Sequence, residues 1–169
     1  MCGRYAASKN ADQLVEEFEV DLVSAPYPLP PDFYVAPTKD VYAVLARRSR
    51  TPDGAPGVGV QRRLTVARWG LVPSWAKDPG IGARMINARV ETLTERPAYK
   101  SAFARRRCIL PADGYYEWYP TARRGRSGKP LKQPFFIRPG DGSTLAMVGL
   151  YEIWRNRSVP DDASGAFLW

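Results

Sequence analysis

The 169-residue sequence contains no histidine. That removes the side chain most often used as a general base near neutral pH and the commonest metal ligand, so neither a zinc hydrolase nor a complete Cys-His pair can be assembled from it. Cysteine is nearly absent as well, with Cys2 and Cys108 the only two. Two thiols make no disulfide framework, which points to a reducing, intracellular setting, and without imidazole they offer no metal-ligand set. No run approaches the ~18 apolar residues of a membrane span. The first twenty residues include Arg4, Lys9, Asp12, Glu16, Glu17 and Glu19 and lack the apolar stretch of a secretory signal. Acidic residues are the scarcer charge, 17 against 25 basic ones, giving a formal net charge of +8. This surplus suits a polyanionic partner, of which nucleic acid is the commonest, or serves only solubility.

What is present is enough for a folded core: 44% apolar and 12% aromatic residues in a chain of domain size. Asn10 followed by Gln13 makes a capping box, and Leu14, Val15 and Phe18 then share a face, which predicts a helix over about 11–19. The passage from Ala25 to Pro31 is too rich in proline for helix or central strand and predicts an extended loop. Strands are expected at 41–47, 65–72 with Trp69 inside, 107–110, 115–119, 134–138 and 145–154. A helix is expected at 97–106 with Pro97 in its first turn. Residues 49–61 and 121–129 have the composition of exposed, basic loops. Many short strands and few helices predict an α+β fold, mainly antiparallel β with short flanking helices. The chain stops within the apolar run Ala166-Phe167-Leu168-Trp169, so it is expected to form one domain that lacks its C-terminal part.

Chemistry concentrates in four places. Cys2 follows the initiator methionine. Were Met1 removed, Cys2 would carry an α-amine titrating near ~8 beside a thiol near ~8.5. Such a 1,2-aminothiol condenses with an aldehyde to an imine and closes through sulfur to a thiazolidine, which no internal cysteine can do. The bland alternative is a small apolar residue opening a strand. In Arg68-Trp69-Gly70-Leu71-Val72-Pro73-Ser74-Trp75-Ala76-Lys77, aromatics interleave with cations, as in proteins that stack unpaired bases and follow their phosphates. Trp69, in a strand, is expected in the core, and Trp75, in a loop, exposed. Asn87 and Arg89, two apart, would share one side of an extended segment and could cradle a phosphate or sugar. Glu117 stands between Tyr116 and Trp118. A carboxylate in apolar surroundings titrates higher, which suits proton transfer near neutral pH, while the alternative is an outward strand position. Asp113-Gly114 is most simply a turn.

Five motifs occur in order: Met1-Cys2-Gly3-Arg4-Tyr5, Val35-Ala36-Pro37-Thr38, Trp69-Gly70-Leu71-Val72-Pro73-Ser74-Trp75, Ile86-Asn87-Ala88-Arg89-Val90-Glu91-Thr92 and the segment Cys108 to Trp118. Together they resemble the SRAP family (SOS response-associated peptidase, abasic-site processing proteins) from Cys2 to about Trp154. The resemblance implies a β-barrel-type core and a protein of the DNA damage response that crosslinks itself to abasic sites in single-stranded DNA. It implies Cys2 as the nucleophile and Asn87 as the asparagine holding the nucleophile end and the sugar-phosphate. Glu117 would be the glutamate that promotes sugar ring opening, with possible lyase chemistry. Arg4 and Arg89 would contact phosphates, and Pro37 and Trp75 would form the wedge that parts strands or stacks bases. It implies a thiol autopeptidase step exposing Cys2, and no cofactor or metal. A cytoplasmic monomer is expected, on the nucleoid when bound to DNA. The family's active-site histidine belongs to an Ile-His-Arg-Met-Pro-like motif beyond residue 169, and where some relatives carry two adjacent tryptophans this chain has Trp75-Ala76. Two other functions fit the residues alone: an N-terminal-cysteine peptidase or amidohydrolase whose α-amine serves its own thiol, and a non-covalent single-strand-binding module.

Overall fold

The computed structural model describes residues 3–50, 53, 55–156 and 166–168. The fold is organised by β4 (Asp40–Arg50), whose run Val41-Tyr42-Ala43-Val44-Leu45 is buried throughout. An unbroken apolar run lacks the alternation of a half-exposed strand because both of its faces are covered. Ala43 and Leu45 meet Ala67, Cys108 and Tyr151 on one face. Tyr42 and Val44 meet Leu14 and Leu64 on the other, and Val41 joins Tyr5, Val35, Trp69 and Ala112 at the strand's start.

Two larger ladders carry the fold. β4 lies in a five-stranded sheet of order β2-β5-β4-β6-β9, with β2 (Leu22–Val23), β5 (Pro56–Arg68), β6 (Arg107–Ala112) and β9 (Leu145–Leu150). Its pairs are antiparallel apart from β2 with β5. A four-stranded sheet of order β3-β1-β7-β8 contains β1 (Arg4–Ala7), β3 (Asp32–Val35), β7 (Gly114–Arg124) and β8 (Pro130–Ile137). A third pair joins β10 (Ile153–Arg155) to β11 (Ala166–Leu168). The expected mainly antiparallel α+β architecture is what forms. The barrel-type core implied by the resemblance takes the form of separate ladders, and among the described residues they do not close into one barrel.

The two helices follow their sequence signals. α1 (Ala11–Glu17) opens on the full Asn10–Gln13 capping box and presses Leu14 into the core. α2 (Pro97–Arg105) starts on Pro97 and buries Tyr99 and Ala102. Four expectations shift. Residues 49–50 and 56–61 extend β4 and β5 into a long ribbon, because ladder hydrogen bonds rather than burial hold their polar residues. The basic stretch 121–129 likewise extends the β7–β8 hairpin to Arg124. The strand expected over 145–154 breaks at Tyr151-Glu152, where Tyr151 N–H bonds the Arg106 carbonyl and the buried Glu152 carboxylate accepts from Arg106, 2.7 Å. Trp69 falls just past the end of β5 rather than inside a strand, and its ring is buried as expected.

Candidate functional site

The start of the chain is built into a sheet rather than left at its edge. β1 runs between β3 and β7, with Arg4 opposite Tyr116, Tyr5 opposite Tyr115 and Ala6 opposite Gly114. Side chains alternate across a strand, so Tyr5 and Tyr115 share the core face while Arg4 and Tyr116 share the other. Glu117, one residue past Tyr116, belongs to the core face, half-buried and paired across the ladder with Phe135. The sheet thus places Arg4 and Glu117 on adjacent strands but on opposite faces. Cys2 lies outside the described residues, and so does the expectation placed on it.

On the outer face the Arg4 guanidinium lies 5.4 Å from the centre of the Tyr34 ring, and one of its nitrogens donates to the Gly3 carbonyl at 2.6 Å. Tyr34 and Phe136 both pack against Tyr116. Gly114 is required there, since a Cβ would strike the Ile137 carbonyl and the Phe136 ring.

Asn87 approaches the core face by another route. It lies between two 3-10 turns, Pro79–Arg84 and Val90–Thr92, not in a sheet strand. Three hydrogen bonds fix the backbone in front of it: Leu71 N–H to the Met85 carbonyl at 3.0 Å, the Trp69 indole to Ile86 at 3.0 Å, and the Tyr99 hydroxyl to Asn87 itself at 3.3 Å. Burial raises the Tyr99 pKa above its ordinary value, so the hydroxyl remains a donor throughout the neutral range. Trp69 is itself clamped edge-on against Tyr5, with ring centres 5.2 Å apart. Gly70 takes φ +132°, where a Cβ would collide with the Gly82 backbone, so glycine alone lets the Trp69 loop meet the first 3-10 turn. Asn87 and Trp69 line a mainly apolar cavity of about 250 Å³ together with Tyr5, Ile86, Tyr99 and Cys108. Neither Arg4 nor Glu117 lines it. Arg89 is exposed two residues further on, with its carbonyl capping the second turn.

Pro37 and Trp75, expected to form a wedge, sit on two loops joined at Trp69. Thr38 N–H donates to the Trp69 carbonyl at 2.8 Å and Trp69 N–H to that of Lys39 at 2.9 Å, which ties the Pro37 turn to the tryptophan loop. Thr38 holds φ +70°, an uncommon value for a β-branched residue. Pro37 is half-buried, and Trp75 is 59% exposed, as its loop position predicted. The buried Trp154 holds the Trp75 loop through its indole, 2.8 Å from the Ala76 carbonyl. The anchors Tyr99 and Trp154 escaped sequence reasoning, because a hydroxyl or an indole reaching across the fold leaves no local spacing signal.

The second cysteine is chemically quiet. Cys108 is buried, and desolvation pushes its thiol up to about 12, so it carries almost no thiolate at neutral pH. Among the described residues no cluster of His, Cys, Asp or Glu could hold a metal ion, and no helix is long and apolar enough to cross a membrane.

The fold is shared with solved structures. A Bacteroides thetaiotaomicron protein superposes with a TM-score of 0.70 at 20% identity, covering 99% of this chain and 65% of its own. A phage-related protein from Bordetella bronchiseptica does so with a TM-score of 0.56 at 27% identity, over 99% and 68%. Residues 1–166 match the SOS response associated peptidase family, and this chain belongs to that SRAP family. It is 37% identical over 154 residues to the abasic site processing protein YoaM of Bacillus subtilis, covering 91% of this chain and 60% of that one. It is 30% identical to the abasic site processing protein YedK of Escherichia coli, covering 89% and 59%. The chain thus spans about three-fifths of the length of these two relatives.

Proposed function

We propose that this protein binds single-stranded DNA and captures the ring-opened sugar of an abasic site at Cys2 once Met1 is removed. The α-amine of Cys2 condenses with the sugar aldehyde and releases water. The thiol then adds to the imine carbon, its proton passing to nitrogen, to close a thiazolidine. Glu117 moves the protons of sugar ring opening, Asn87 orients the sugar-phosphate, Arg4 and Arg89 hold flanking phosphates, and Pro37 with Trp75 parts or stacks the neighbouring bases.

The observation that carries this reading is the ladder between β1 and β7. β1, the strand that begins at Arg4, pairs directly with the strand that bears Glu117, which supports assigning that carboxylate to chemistry at the N-terminal end. The Asn87 loop approaches the same face, held through Trp69 against Tyr5. The burial of Cys108, which pushes its thiol up to about 12, supports assigning the reaction to Cys2. The names of the relatives agree, each being called an abasic site processing protein. The family description also contains the word peptidase; a peptidase using the same thiol would turn over peptide substrates without DNA.

Denaturing electrophoresis with an abasic single-stranded oligonucleotide separates these readings. The parent chain is expected to give a retarded covalent band that Cys2→Ala abolishes. A band of equal strength from Cys2→Ala would sink the proposal.

A further inference from the structure

Beyond Glu117 the strand that carries it leaves the body of the molecule. β7 continues to Arg124 and returns as β8 with Tyr119 opposite Gln133 and Pro120 opposite Lys132. By strand alternation Glu117, Tyr119 and the cross-strand Phe135 share one face, and beyond the half-buried Glu117 that face is open: Tyr119 is 69% and Phe135 54% exposed. Large rings exposed side by side at a strand pair are unusual in a surface that makes no contact with a partner.

The tip of the same hairpin is one-signed. Arg123, Arg124, Arg126, Lys129 and Lys132 occur with no Asp or Glu between Tyr119 and Ile137. The turn is well built: Arg124 donates to the Gly128 carbonyl at 2.8 Å and Thr121 to that of Leu131 at 2.9 Å. Arg123, Arg126 and Lys129 are exposed. Rings followed by cations along one ribbon match a strand whose bases stack while its phosphates run over positive charge.

We propose that the β7–β8 hairpin is an arm that guides single-stranded nucleic acid away from the reactive end. Tyr119 and Phe135 stack unpaired bases, and Arg123, Arg126 and Lys129 track the phosphates beyond them. The proposal rests on the single-strand-binding part of the function above and adds a contact distinct from the residues assigned there. Glu117 and Arg123 lie six residue steps apart, about 20 Å at ~3.4 Å per residue, or roughly six stacked nucleotides at ~3.4 Å each. The arm therefore acts only on strands that extend at least that far past the abasic position.

Fluorescence anisotropy of the whole chain tests this, with labelled single strands reaching two or twelve nucleotides beyond the abasic site on either side, titrated across a salt series. Replacing Arg123, Arg126 and Lys129 by glutamine is expected to lower the salt slope by about 2 on a long strand and leave the short strand unchanged. Tyr119→Ala weakens long-strand binding by about 5- to 100-fold. Arg123→Lys with Arg126→Lys, which keeps the charge, retains the parental slope. Parental affinity and slope in the glutamine variant on every strand would overturn the arm while leaving the proposed function intact. So would an equal loss in the lysine variant, or a change in sedimentation without a change in DNA binding. A parent that binds no single strand at all would overturn both.

Discussion

Glu117 and Asn87 are held in place by different means. Glu117 belongs to a ladder: β7 is paired with β1 and β8, so its position follows from a register that many backbone hydrogen bonds set together. Asn87 lies in a loop between two 3-10 turns rather than in a sheet strand. Its backbone is held by an indole, a phenol and one amide reaching in from Trp69, Tyr99 and Leu71. A residue in a ladder keeps its place when one neighbour changes, whereas a residue on such a tripod depends on each leg. Under the proposed function, this asymmetry would fix the proton-transfer group and let the group assigned to the sugar-phosphate adjust.

Trp69 belongs to both regions, since it packs on Tyr5 of the ladder and holds Ile86 of the tripod. Trp69→Ala should therefore give the largest effect, a loss of about 3–5 kcal/mol in denaturant-induced unfolding. A loss confined to DNA reactivity, with stability intact, would show that the two regions do not share that support. Tyr99→Phe keeps the ring and removes one leg. It should cost about 1 kcal/mol of stability and slow the covalent reaction more than it weakens DNA binding. An equal effect on both would mean that the hydroxyl does not position Asn87.

A smaller test lies outside the site. The Lys9 hydrogen bond, aided by Thr144, holds the Glu17 carboxyl below its ordinary range and ties α1 to the loop before β9. A lowered native pKa contributes stability that is present above the unfolded value near ~4.3 and is lost as pH falls through the native value. Glu17→Gln should flatten the acid limb of the stability profile below about pH 4 and leave reactivity at neutral pH unchanged. An unaltered acid limb would remove Glu17 as a tie.

The same asymmetry explains what the sequence discloses. The Asn10–Gln13 box, Pro97 and the Val41–Leu45 run act locally or through burial, and α1, α2 and β4 were legible from them. The exposure of Trp75 followed from its loop context, while Trp69 is buried as expected although it lies just past β5 rather than in a strand. The strand parts of the two loop-like stretches, 49–50, 56–61 and 121–124, were not legible, because glycine, serine and arginine have loop composition and only cross-strand pairing makes them strand, whereas 125–129 form the expected turn. Asn87 and Arg89 were expected on one side of an extended segment. The chain there runs between two 3-10 turns with Arg89 in an extended conformation, and the turns are set by Gly70 against Gly82 and by remote aromatic donors that no spacing reveals. The five ordered motifs indicated the family, to which residues 1–166 belong.

The central claim is that the reactive group is the aminothiol of Cys2, and intact-protein mass spectrometry addresses it in one spectrum. Before reaction the chain should have lost Met1. After incubation with an abasic single strand, it should gain the mass of the oligonucleotide less one water, and Cys2→Ala should gain nothing. An adduct on a chain that retains Met1, or the same adduct on Cys2→Ala, would contradict the account.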